Sequence, residues 1–99
     1  MSWATHYIEN LKEKQTVQFR PRGNSMTGKI NSGQLVTVEP ILERELKEGD
    51  IVLCKVKGAQ YLHLIKSIQG SRFQIGNNQG QIIGWTNRSS IYGICTAVE

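Results

Sequence analysis

The 99-residue sequence is poor in cysteine, histidine and proline, with two of each, and it contains no long apolar run. Two cysteines allow one disulfide at most, which is possible but unneeded. Cys54 and Cys95 each lie inside an apolar, β-like run, which suits reduced, buried thiols acting as small hydrophobes. No CxxC pair or His/Cys cluster offers metal-ligand spacing, so neither a metal nor any other cofactor is expected. No stretch approaches the roughly 18 apolar residues of a membrane span, so no membrane partner is expected. The segment MSWATHYIENLKEKQ lacks the apolar core of a secretion signal, which makes the cytoplasm the expected location.

Twelve basic residues outnumber eight acidic ones, for a net charge of +4. They are scattered from Lys12 to Arg88 without a continuous basic run, so a soluble basic surface is a simpler reading than a nucleic-acid groove. A hydrophobic content of 38% and a charged content of 20% exclude disorder, and the length fits one domain over residues 1–99. Ten glycines against two prolines point to many tight turns between short strands.

Residues 2–14 read as the one helix, with Trp3, Tyr7, Ile8 and Leu11 at helical spacing and Ser2 as a cap. The period then shortens. Val17 and Phe19 alternate with polar neighbours, and a glycine-flanked loop follows over 22–28. Short strands are predicted at 34–38, where Pro40 ends the run, and at 51–57. A turn at 57–60 makes a hairpin with 61–68, and 72–75, Ile82-Ile83 and 91–98 supply the rest. Residues 41–47 read as an irregular excursion. The pattern is that of a mostly β domain over 16–98, a compact coiled antiparallel sheet or barrel with one N-terminal helix.

Chemistry concentrates at two places. Gly23-Asn24-Ser25-Met26 sets a serine between glycine and a bulky apolar residue in a turn just after a strand, where a hydroxyl is exposed. Such serines are usually there for the turn alone. A serine nucleophile needs a base, and His63 is a polar residue in the middle of the apolar run Tyr61-Leu62-His63-Leu64-Ile65. A lone strand histidine is more often a half-buried structural residue. Strand parity puts His63 with Tyr61 and Ile65 on one face, and the rival base Lys66 with Leu62 and Leu64 on the other. His6 reads as a surface or packing residue of the helix.

The string Gly23-Asn24-Ser25-Met26 resembles the G-x-S-M box of the LexA-like and signal-peptidase-like serine peptidases, the S24/S26 type. In the same order, Ile30 to Val38 resembles the strand that follows the box. Leu46-Lys47-Glu48-Gly49-Asp50-Ile51-Val52 resembles the family's "l-x-x-G-D-i-V". Leu62-His63-Leu64-Ile65 falls where the family carries its base, Gly76-Asn77-Asn78 is similar to an Asn-containing loop, and Tyr92-Gly93-Ile94-Cys95 resembles the closing strand. The resemblance runs from about Gly23 to Val98. It implies Ser25 as nucleophile, His63 as general base in place of a lysine, and an oxyanion loop of Gly23, Asn24 and Met26 with the Ser25 N–H. Asp50 is the carboxylate that family analogy offers to orient His63.

This chain departs from the pattern at Gly28, where proline is usual, which implies a looser loop. Gln34 replaces an acidic residue, and Leu64 replaces the arginine after the base. Only Met1 to Arg22 precede the box, without a helix-turn-helix or Ala-Gly cleavage site, so neither a repressor nor an anchored signal peptidase is expected. Three readings follow. The first is a Ser–His endopeptidase acting on an extended peptide or protein substrate. The second is an inactive module that binds such a partner at a sheet edge, and the third is a nucleic-acid-binding β domain using the positive charge with Trp3, Trp85 and the tyrosines. Each is compatible with a homodimer.

Overall fold

The computed structural model describes residues 3–99. Helix α1 (Thr5–Lys12) is followed by strands β1 (Val17–Phe19), β2 (Val36–Pro40), β3 (Ile51–Val56), β4 (Ala59–Gln69), β5 (Arg72–Gly76), β6 (Ile82–Asn87) and β7 (Ile91–Val98). All pair antiparallel in one sheet of order β1-β2-β7-β3-β4-β5-β6, which is not closed into a barrel. Among the described residues no helix is long and apolar enough to cross a membrane.

The helix is shorter than its amphipathic pattern suggests. Ala4 occupies the N-cap position and Lys14 takes a left-handed φ of 64°, which stops the helix after its last turn. The predicted cap Ser2 lies outside the described residues. Ala4, Ile8 and Leu11 are buried on one side of α1, and Gln60 of β4 fixes its start. The Ala4 N–H donates to Gln60 Oε1 at 2.8 Å, and Gln60 Nε2 donates to Thr5 Oγ1 at 3.0 Å.

Alternation in the central strands produces two apolar clusters on opposite faces. Leu53, Leu62 and Leu64 join Val36, Val38, Met26, Ile30 and the helix in one cluster. Val52, Cys54 and Val56 join Ile65, Phe73, Ile75 and Ile91 in the other. Strand β3, with neighbours on both sides, is buried on both faces. Gly93 of β7 shows how closely the layers approach. A Cβ there would stand 2.6 Å from Val38 Cγ1, 2.9 Å from the Glu39 carbonyl oxygen and 2.9 Å from Leu11 Cδ1.

Strand boundaries differ from the sequence reading at β2 and β6. β2 begins at Val36, because Gln34 closes a turn onto the Asn31 carbonyl. Leu35 still exchanges two backbone hydrogen bonds with Glu99. β6 runs through Gly84 to Asn87 against β5, where the sequence showed only Ile82-Ile83. Cys95 is half-buried and donates to the Ala97 carbonyl, whereas Cys54 is fully buried and its thiol is pushed up to about 12 by desolvation. Both cysteines are free.

Candidate functional site

The sheet order decides which parts of β4 are covered. Ala59–Leu64 pair with β3 on one side, whereas β5 covers the other side only from Leu64 onward. Tyr61, Leu62 and His63 therefore lack a strand partner on the β5 side. The loop carrying Ser25 stands beside this gap. Ser25, Gly23, Met26, Tyr61, Leu62 and His63 all line one cavity of about 170 Å³. Residues 38 positions apart in sequence, 25 and 63, thus meet at one concave site, with the serine exposed and the histidine buried.

His63 lies opposite Val52 in the β3–β4 ladder, on the face of the second cluster, with its ring 5.1 Å from that of Tyr61. Its Nδ1 stands 2.7 Å from the Leu62 carbonyl oxygen. A carbonyl only accepts, so Nδ1 carries the proton of the neutral ring and Nε2 keeps the lone pair. Burial holds the imidazole below its ordinary pKa of 6.5, with the Leu62 bond pulling weakly the other way. The result is a neutral imidazole at neutral pH. Among the described residues no hydrogen bond joins His63 to Ser25.

Three carbonyls fasten the serine loop from the far side. The segment between β5 and β6 reaches across: the Asn78 N–H donates to the Ser25 carbonyl at 3.0 Å. Asn78 Nδ2 donates to the Thr27 carbonyl at 2.8 Å, and Gln79 Nε2 to the Asn24 carbonyl at 2.6 Å. Met26 closes the loop internally by accepting the Ile30 N–H at 2.7 Å, and its side chain is buried. The N–H groups of Asn24, Ser25 and Met26 have no acceptor among the described residues. The loop is thus held through its carbonyls, and these three donors are not used in holding it.

Gly28 takes a left-handed φ of 99°, and a Cβ on it would stand 3.0 Å from Asn78 Nδ2. The loop expected to be looser for want of a proline is thus pinned by an asparagine that only a glycine admits. Asn78→Ala is expected to cost about 1 kcal/mol, the worth of one side-chain hydrogen bond. It should also speed amide exchange over Thr27–Ile30 ahead of the sheet, as measured by hydrogen exchange. Uniform protection in both proteins would mean that the tether does not hold the loop.

The two other titratable candidates lie elsewhere. Asp50 Oδ2 accepts the Lys47 N–H at 2.8 Å in the turn before β3, and its carbonyl accepts the Ile65 N–H. The His63 ring donates to the Leu62 main-chain carbonyl, where family analogy offered this carboxylate. Lys66 is the extra residue of a bulge between Ile65 and Ser67. Its Cγ and Cε lie 3.0 and 3.1 Å from where a Cβ would stand on Gly76, so its stem covers that glycine, the partner of Leu64. It does not line the Ser25 cavity. Trp3 does, a residue whose helical spacing had indicated packing alone, and it is 50% exposed.

No curated protein matches this chain. The family described as "Peptidase S24-like" matches over residues 2–83, a span that takes in α1, the Ser25 loop, His63 and the Asn78 tether. The chain belongs to the Peptidase S24-like family.

Proposed function

We propose that the protein is a serine endopeptidase in which Ser25 attacks and His63 serves as the general base. The observation carrying this reading is that residues Ser25 and His63 line one cavity while the Leu62 carbonyl keeps the His63 proton on Nδ1. An extended peptide laid along the uncovered edge at Tyr61–His63 would bring a carbonyl to Ser25, a form of strand addition. Ser25 Oγ bonds to the carbonyl carbon as its proton passes to Nε2 of His63. The oxyanion forms against the N–H groups of Ser25 and Met26. The C–N bond then breaks, the leaving amine takes the proton from Nε2, and water repeats the sequence to release the acid and restore Ser25. The Leu62 carbonyl keeps the ring oriented through both halves.

Labelling of Ser25 by a fluorophosphonate, located by mass spectrometry, tests this directly. Its pH dependence tests the base. Only neutral imidazole can take the serine proton, so the labelling rate should rise with pH and level off. Because burial lowers the His63 pKa, the midpoint should lie below 6.5. The same group makes folding acid-sensitive. The unfolded chain binds the His63 proton first, so this contribution to stability falls as pH drops below about 6.5 and is fully lost below the folded-state pKa. A midpoint at or above the ordinary value would remove His63 as the buried base.

A second reading keeps the edge and gives up the chemistry. It draws on the absence of a hydrogen bond between Ser25 and His63 among the described residues. Saturable peptide binding with no labelling of Ser25 at any pH would establish it.

A further inference from the structure

A second cavity, of about 390 Å³, opens beside the first and is lined by Trp3, Tyr7, Phe19, Arg20, Pro21 and Arg22. It shares the walls formed by Trp3, Pro21 and Arg22 with the cavity of Ser25 and His63, so the two adjoin. Its wall is an aromatic cluster from α1, β1 and the turn that precedes α1. The rings of Tyr7 and Phe19 stack with centroids 4.4 Å apart, and Trp3 meets Phe19 edge-on at 5.6 Å. Phe19 is buried, Tyr7 half-buried, and Trp3 leaves half its surface open to solvent. This volume falls within the roughly 300–1,000 Å³ of ligand pockets, whereas the cavity at Ser25 is too small for a bulky group.

The charge around the opening has one sign. Arg20 and Arg22 are exposed at its rim, and no carboxylate lines either cavity. Arg20 donates to the Gly33 carbonyl at 2.9 Å, which steadies it, and neither arginine is in an ion pair among the described residues. An aromatic recess with two uncompensated guanidinium groups at its mouth complements an aromatic side chain next to a carboxylate.

We infer that this recess is the specificity pocket of the site, receiving an aromatic side chain of an acidic, extended peptide while its backbone lies along Tyr61–His63. The inference rests on the peptidase reading for its purpose, but the pocket binds whether or not Ser25 reacts. Trp3 and Arg22, lining both cavities, link recognition of the side chain to placement of the carbonyl at Ser25. They are specificity residues and take no part in bond making.

The test uses the full chain carrying Ser25→Ala, so that nothing is cleaved. The probes are fluorescein-labelled extended peptides of Gly, Ser and Glu in which a single Phe, or Ala in its place, is moved along the sequence. At the best position the Phe peptide should bind at least about tenfold more tightly than its Ala counterpart, the effect of burying one aromatic side chain. Trp3→Ala should abolish that difference, and Arg22→Glu should reverse the preference for Glu over Lys beside the Phe. Circular dichroism would establish that both variants are folded, and Trp3 and Arg22 are exposed enough for substitution without opening the core. Equal binding of Phe and Ala peptides at every position, or discrimination that survives Trp3→Ala, would overturn the pocket. Fluorophosphonate labelling of the wild-type protein separately judges the peptidase reading. A labelled Ser25 with no Phe preference sinks the pocket alone, and a Phe preference without labelling sinks the chemistry alone.

Discussion

Ser25→Ala is expected to lower peptide hydrolysis by about 10⁴-fold or more, the usual effect of deleting a serine nucleophile. His63→Ala should fall to a similar level, because a nucleophile and its base act as one unit and their losses do not add. The measurement is turnover of a peptide pool, followed by mass spectrometry at equal concentrations of folded protein. Both variants should unfold near the wild-type temperature. Ser25 is exposed, and its hydroxyl is not among the groups that fasten the loop, which is held by carbonyls of Asn24, Ser25 and Thr27. His63 packs against Tyr61, so its loss costs some stability, and His63→Gln is the gentler control. Wild-type cleavage by either variant would remove the dyad.

Leu53→Ala is expected to cost about 2–5 kcal/mol, since it leaves a cavity in the most enclosed part of the sheet. Leu53 is fully buried on β3, with Leu62 opposite it on β4 and Gly93 opposite it on β7. No side chain from Gly93 can move into the space. For a domain of this size such a loss lowers the unfolding temperature by about 8 °C or more, readable by calorimetry. A shift of one or two degrees would show that the helix-side cluster collapses to refill the hole. Leu53→Met, which conserves volume, should cost less than about 1.5 kcal/mol.

Strands that alternate cleanly were legible in the sequence. Val17–Phe19 stands where the period of two put it, and Ile51–Val56 and the hairpin into β4 stand where a continuous apolar run and the turn at 57–60 put them. Glycine and a bulge hid the rest. Gly84 interrupts the apolar run of β6, yet the structure needs it there, with φ near 152° and Val56 Cγ1 3.2 Å from the position of a Cβ. The bulge at Lys66 lets β4 run unbroken from Ala59 to Gln69 while its register on β5 shifts. At the site, the serine and histidine could each be picked out by residue type, but no spacing rule brings position 25 to position 63. That meeting depends on the β5 ladder ending at Leu64 and on the crossing of the β5–β6 segment, both of them non-local. The tether through Asn78 and Gln79 carries no local signal beyond a polar, glycine-bounded loop. Trp3 was read from its helical period, and that period does not distinguish a ring facing the core from one facing a cavity.

The place of β7 has a consequence for how the chain is made. It is the last strand in chain order, yet it lies between β2 and β3 and is hydrogen-bonded to both. Until residues 91–98 have left the ribosome, the β1–β2 ribbon has no seam to the meander of β3 to β6. Such ribbons are marginal in water on their own. The serine loop follows β1, whereas the histidine and the asparagine tether belong to the meander. A nascent chain therefore carries the parts of the site on two unjoined pieces, and joining them closes loops of some fifty residues late and slowly. By this order of events, a growing polypeptide does not bring Ser25 and His63 to one cavity until its synthesis has passed β7.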